Sequence, residues 1–268
     1  MSRIATRMNR HLKRCLASAL LLGSAFSLNT AHAVPPQDLK GTNVVLVHGA
    51  FADGSSWDKV IPLLEARGLH VVSVQNPLSS LADDTAATQR AIDQQTGPVV
   101  LVGHSWGGAV ITQAGNDDKV KALVYVAALV PDSGASVNDV FKSQPAPAVV
   151  VANAIKKDSA NFLSLPTEAV VKYFAQDLPP AQARILAATQ GPWFAGALDD
   201  KVGTAAWHTK PSWYLVANQD RMIDPNAEEA MARKIGATTT HVNSSHVPML
   251  SQPKAVADAI IAAASKVQ

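Results

Sequence analysis

The sequence predicts an α/β fold, a mostly parallel, doubly wound sheet of about six strands with helices on both faces. Two observations point to it. From residue 42 onward, short β-branched runs alternate with longer helical patterns. The strand-like runs are apolar throughout, as strands covered on both faces must be. A third observation adds a helical lid insertion: residues 132–210 interrupt the alternation with helical pieces punctuated by Pro and Gly.

In order, "TNVVLVHG" (42–49) reads as the first strand and "SSWDKVIPLLEARG" (55–68) as an amphipathic helix ending at a glycine. "LHVVSVQNP" (69–77) is the second strand and "LADDTAATQRAIDQQTG" (81–97) the second helix. The third strand, "PVVLVGH" (98–104), runs directly into the helix "WGGAVITQAG" (106–115), and "VKALVYVAALVP" (120–131) is the fourth strand. After the insertion come the strand "SWYLVAN" (212–218), the helix "PNAEEAMARKIG" (225–236), the strand "TTTHVN" (238–243) and the helix "PKAVADAIIAAASKV" (253–267). The insertion, at 79 residues, is too long to be an unstructured loop in a compact domain. It holds seven of the chain's 14 aromatic residues (Phe141, Phe162, Tyr173, Phe174, Trp193, Phe194 and Trp207), and two or three of them are expected to wall an apolar pocket.

Residues 1–33 read as a secretory signal peptide, not as part of the domain. "MSRIATRMNRHLKR" carries five cationic residues and no acid, "CLASALLLGSAFSL" supplies a short apolar core, and "AHA" at 31–33 is a small-x-small cleavage site. The apolar run is too short to span a bilayer as a retained anchor. The mature domain is therefore expected to be residues 34–268, periplasmic or secreted. Five of the 23 Lys and Arg residues leave with residues 1–33 but none of the 21 acids does, so 18 cations face 21 anions and the mature net charge is about −3. No cationic cluster remains to bind nucleic acid or an anionic membrane. The single cysteine, Cys15, leaves too, so the exported chain is held by its core and not by a disulfide.

The chemistry centres on "GHSWGG" (103–108), a G-x-S-x-G pattern between strand and helix. Such a turn forces a strained backbone at Ser105, and side chains at 103 or 107 would clash. It lifts the hydroxyl clear of the sheet and aims a helix N-terminus at it. A serine nucleophile needs a base, and His246 in "NSSHVPML" lies in the loop after the last strand, at the end of a parallel sheet where ligands meet the fold. The other histidines have plainer uses: His48 and His104 neighbour glycines in turns and are expected to hold backbone groups. The base needs an orienting carboxylate. "LVANQDRMIDP" offers Asp220 and Asp224. Asp224 precedes Pro225 and a helix and has work as an N-cap, which leaves Asp220, with Asp132 in "LVPDSG" as the fallback. Two backbone amides should stabilise the oxyanion: that of Trp106, and that of Ala50 in "HGAFADGSSW", or Phe51 if the loop is displaced by one residue.

With "VLVHGAFADGSSW", "LVGHSWGGAV", "YVAALVPDSG", "NQDRMIDP" and "SSHVPMLSQP" in this order, the chain resembles the α/β-hydrolase superfamily over residues 42–266. It is most similar to the small single-domain group of plant methylesterases, hydroxynitrile lyases and bacterial carboxylesterases. The resemblance implies a triad of Ser105, Asp220 and His246, an oxyanion hole of Ala50 and Trp106, and no cofactor or metal. Hydroxynitrile lyases of this type place a lysine after the catalytic histidine, where this chain has Val247, and they alter the first-loop glycine that "HGA" keeps. Both departures favour hydrolysis of carboxylic esters of modest size through an acyl-enzyme. Serine at 105 argues against the dehalogenase and epoxide hydrolase branches, which attack with aspartate. The same machinery admits a lactonase, amidase, acyltransferase or cofactor-free perhydrolase, and outside enzymes a binding protein that keeps the fold for its pocket. Oligomeric state and natural substrate are not written in the residues.

Overall fold

The computed structural model describes residues 39–267, so the expected signal peptide and its cleavage site lie outside the described residues. In chain order the strands are β1 (Asn43–Val47), β2 (His70–Val74), β3 (Val99–His104), β4 (Val120–Val126), β5 (Lys156–Lys157), β6 (Phe162–Ser164), β7 (Trp193–Phe194), β8 (Ser212–Ala217) and β9 (Thr238–Val242). Six of them form one sheet in the order β2-β1-β3-β4-β8-β9, and every neighbouring pair is parallel. The helices are α1 (Ile61–Glu65), α2 (Leu81–Asp93), α3 (Gly107–Ala114), α4 (Val137–Lys142), α5 (Ala148–Val151), α6 (Thr167–Ala169), α7 (Pro180–Thr189), α8 (Pro225–Lys234), α9 (Pro248–Ser251) and α10 (Pro253–Ala264).

Burial follows strand position. Every residue of β1, β3 and β8 is buried, whereas the edge strands β2 and β9 are partly open to solvent. The chain steps from β1 outward to β2 and then back past β1 to β3. Right-handed crossovers in opposite directions put their helices on opposite faces. Accordingly α1 packs with α10 on one side, while α2 pairs with α3 on the other. The reversal also separates the loops that leave β1 and β3, opening a crevice at their carboxyl ends.

Three elements differ from the sequence expectation. The helix expected over 55–68 is a single turn at Gly54–Trp57 followed by the short α1. Pro62 explains the break: deep in a helix it would lack a donor and clash with the carbonyl four residues back, but it fits the first turn of α1. The strand expected over 120–131 stops at Val126, because Ala127 adopts a left-handed backbone (φ 44°) that cannot continue a strand. There the Tyr214 hydroxyl donates to Ala128 O at 2.6 Å and accepts from Ala128 N–H at 3.0 Å, fixing the departing chain.

The segment 132–210 is also not purely helical. Beside α4 to α7 it contains a small antiparallel sheet, β5-β6-β7, in which Phe162 pairs with Phe194 at a ring separation of 5.4 Å. Strands of two and three residues leave no periodic trace to read. The segment is clipped to the loops of the main sheet: Val149 N–H donates to Arg221 O, Phe194 N–H to Leu78 O, and Ser245 N–H to the Asp177 carboxylate at 2.8 Å.

At the β3–α3 turn the backbones approach too closely for side chains. A Cβ at Gly103 would lie 2.4 Å from Gly107 O, and one at Gly107 would lie 2.5 Å from Val47 O. The atoms in the way are rigid backbone. Gly107→Ala is therefore expected to lower stability by about 2–3 kcal/mol or more, read as a reduced urea midpoint with unchanged slope.

Candidate active site

Ser105 sits on the turn between β3 and α3 with φ 52°, a left-handed conformation that a β-carbon disfavours. The turn is held from three sides: Ser105 N–H donates to Val126 O at 3.2 Å, and Ser105 O accepts from Gly108 N–H at 2.9 Å and Leu129 N–H at 3.0 Å. These bonds maintain the strain and direct the hydroxyl upward, where the loops after β8 and β9 deliver two further residues. His246 Nε2 lies 2.8 Å from Ser105 Oγ, and His246 Nδ1 lies 2.5 Å from Asp220 Oδ2. Asp220 Oδ1 accepts from Met222 N–H at 2.6 Å and Ile223 N–H at 3.0 Å. The partners set the tautomer: Nδ1 carries the proton toward the carboxylate, and Nε2 is free to accept from the serine. Ser105 is 7% exposed, His246 1% and Asp220 6%, so these bonds form largely out of water, where they are strongest.

The structure thus brings together residues 105, 220 and 246. The alternatives lie elsewhere: Asp224 Oδ1 caps α8 by accepting Asn226 N–H at 2.8 Å. Asp132 is on the surface, paired with Lys234 at 2.8 Å and His208 at 2.9 Å. The hydrogen bond and charge of Lys234, helped by His208, hold its carboxyl down to about 2.

Two buried histidines brace the site. His48 Nδ1 donates to Gly49 O at 2.8 Å while Nε2 accepts Asn76 N–H at 2.9 Å, fixing the loop that carries Ala50 and Phe51. His104 Nε2 donates to His246 O at 2.7 Å, and the two rings lie 4.8 Å apart. Burial first, then the neighbouring His246 ring, hold His104 well below the ordinary histidine value, so it stays neutral. From the other side, Phe174 meets the His246 ring edge-on at 5.3 Å. The amides of Ala50, Phe51 and Trp106 have no acceptor among the described residues, so the donors that an oxyanion needs are open.

A cavity of about 310 Å³ opens at Ser105 and His246. Its walls include Phe51, Leu129, Met222 and Ile223 from the main sheet's loops, and Phe141, Val149, Ile155, Leu163, Trp193 and Leu198 from the segment 132–210. Two of that segment's aromatics, Phe141 and Trp193, line it. Apart from His246 and Ser105, its polar side chains are Asn138 and Gln144, and among the described residues no acid or cation lines it. Trp193 stands 5.1 Å from Trp106 and 6.0 Å from Phe51, joining the cavity wall to the residue after the serine.

Sequence reasoning missed the anchor of that residue. Trp106 Nε1–H donates to Asp84 Oδ2 at 2.6 Å, and Leu78 N–H donates to Asp84 Oδ1 at 2.8 Å. A signal was available, since Asp84 falls in the apolar stripe of α2 with Leu81, Ala87, Thr88 and Ala91, where a carboxylate needs a buried partner.

A parallel sheet with a serine on a strained strand–helix turn, hydrogen-bonded to a histidine and an aspartate from later loops, defines a class of nucleophile-bearing α/β proteins. The chain belongs to the alpha/beta hydrolase family, whose sequence profile matches residues 44–259. It is similar to the pyrethroid hydrolase of Sphingobium wenxiniae, 26% identical over 82% of this chain and 86% of that protein. Methylesterase 2 of Arabidopsis thaliana is 24% identical over 85% of this chain and 98% of its own. Among solved structures, an extracellular alpha/beta-hydrolase from a Paenibacillus species superposes with a TM-score of 0.69 at 23% identity, covering 83% of this chain and 98% of the other.

Burial pushes the Asp84 carboxyl up to about 6 despite the donors Trp106 and Leu78. A raised carboxyl contributes stability below its unfolded value that is lost as pH rises through the folded one. Between about pH 4 and pH 7 the wild type should therefore lose about 3 kcal/mol relative to Asp84→Asn, measured by urea unfolding of both proteins at each pH.

Proposed function

We propose that this protein is an exported serine esterase that cleaves neutral carboxylic esters of modest size through an acyl-enzyme. The observation that carries the reading is the continuous hydrogen-bonded relay from Ser105 Oγ through His246 to Asp220 beneath an apolar cavity. At 2.8 Å the histidine is within reach of the proton it must take.

In the proposed reaction Ser105 Oγ attacks the ester carbonyl as its proton passes to His246 Nε2. Asp220 holds the tautomer and stabilises the imidazolium that forms. The negative charge on the tetrahedral oxygen falls to the amides of Trp106 and Ala50, each such donor being worth about 3 kcal/mol in the transition state. His246 then returns the proton to the departing alcohol. Water enters, loses a proton to the same nitrogen, attacks the acyl carbonyl and releases the acid with Ser105 restored.

Cavity chemistry supports the substrate class. Walls of aliphatic and aromatic side chains with two amide side chains offer no opposite charge, so a carboxylate or ammonium would enter stripped of water and without a counter-ion. The esterase and hydrolase names of the similar proteins support ester cleavage. The pattern of residues 1–33 supports export.

Ser105→Ala is expected to lower kcat/KM on p-nitrophenyl butyrate by at least about 10⁴-fold with the fold intact by circular dichroism, and Asp220→Asn by about 10⁴-fold. Undiminished turnover in Ser105→Ala would refute the assignment. Side-by-side assay of short esters, lactones and amides decides between hydrolysis of esters and its neighbours. Mass spectrometry of the exported protein is expected to find Val34 at the N-terminus.

A further inference from the structure

One buried carboxyl group beside the relay has no part in the reaction just described. Glu228 lies in α8 on the buried stripe of Ala227, Met231 and Ala232, and it is fully buried itself. Its Oε2 accepts Ala217 N–H at 3.0 Å, at the end of β8. Ala217 O accepts Asp220 N–H at 3.0 Å, so the two carboxyl-bearing residues grip the two ends of one residue's backbone. Glu228 Oε1 has no donor among the described residues, and its side chain is in hydrogen-bond contact with that of Asp220.

Two carboxylates cannot meet this way in a buried place: each lacks the donor the other would need, and their charges repel without water between them. One must hold a proton. Asp220 is surrounded by the amides of Met222 and Ile223 and by His246 Nδ1–H, all of which favour its anion. Glu228 has one amide. Burial first, and then the charge of Asp220, push the Glu228 carboxyl well above the usual carboxylate range. The other titratable groups facing it agree. Asp224, at the start of α8, adds negative charge, Tyr214 of β8 presents a hydroxyl engaged with Ala128, and Tyr125 stacks behind it on β4. None is a cation.

We propose that Glu228 is a neutral acid whose Oε1–H donates to the carboxylate of Asp220, making it a positioning residue that holds Asp220 against His246. The proposal rests on reading Asp220 as the carboxylate of the proposed esterase. The pair then shares one negative charge and one proton, and the charge faces the imidazole.

The test compares Glu228→Gln and Glu228→Leu in the full chain. Glutamine keeps an acceptor for Ala217 N–H and supplies an N–H donor to Asp220. Its kcat/KM on p-nitrophenyl butyrate should stay within about threefold of wild type, with the acid limb of the pH profile unmoved. Leucine removes the donor, leaves the anion less stabilised, and should displace the acid limb upward by roughly one pH unit while lowering kcat/KM about tenfold or more. If Glu228 were ionised instead, glutamine would delete a negative charge and move the limb to lower pH, which would overturn the proposal. So would a Glu228→Leu protein that is merely less stable with an unmoved profile. Infrared difference spectra of wild type against Glu228→Gln at about pH 8 read the same question without turnover. A protonated-carboxyl band present only in the wild type supports the neutral acid, and its absence refutes it. That readout stands even if Ser105→Ala retained activity and the esterase reading fell.

Discussion

The imidazole of His246 has two nitrogens, and both are engaged within a buried site: one meets the serine, the other the aspartate. A ring in that position cannot turn without breaking both bonds, and its orientation is the constraint on which the rest of the site depends. Much of the surrounding structure serves it. The His104 side chain holds the carbonyl of His246 itself, Phe174 closes on the ring edge, and Asp177 holds the amide of Ser245 next door. The parallel sheet provides the frame, because β3, β8 and β9 all end on the same side and release their loops toward one place.

The buried ionisable groups divide by a single contest between loss of water and supply of donors. Asp220 has three N–H donors and is suited to carry the negative charge the imidazole requires. Asp84 has two and is pushed up to about 6 by its burial, yet it fixes the indole of the residue whose amide faces the proposed oxyanion. Glu228 has one and is driven toward its neutral form. His48 and His104 are lowered by burial and act as neutral donors to backbone carbonyls. Five side chains that look interchangeable as "charged residues" therefore take different roles, each set by the number and kind of its neighbours.

The segment between β4 and β8 shapes what can reach the serine. It supplies most of the cavity wall and is fastened by a backbone bond to the loop bearing Asp220 and through the Asp177 carboxylate to the loop bearing His246. Wall and relay are thus mechanically connected. An apolar wall also raises the effective strength of every hydrogen bond at its base by keeping water away.

The parallel sheet was legible because its strands are short, apolar and buried on both faces, and Ser105 because a turn this tight admits only glycine at 103 and 107, where backbone oxygens lie within 2.5 Å of a would-be Cβ. Asp220 was separable from Asp224 because a helix start with proline gives the latter its own work. The break at Pro62 was also written in the residues, though an amphipathic pattern running through 55–68 outweighed it in the reading. The antiparallel strands of the insertion were not legible, since two or three residues show no period. Nor were the tasks of Asp84 and Glu228, which sit in apolar helix stripes as apparent exceptions. Local sequence determined the sheet, the strained turn and the chemical types that could react, because those follow from sterics and periodicity along the chain. Only the tertiary structure decided which carboxyl meets which donor, since a side chain's protonation and partners depend on residues that are distant in sequence and adjacent once water is gone.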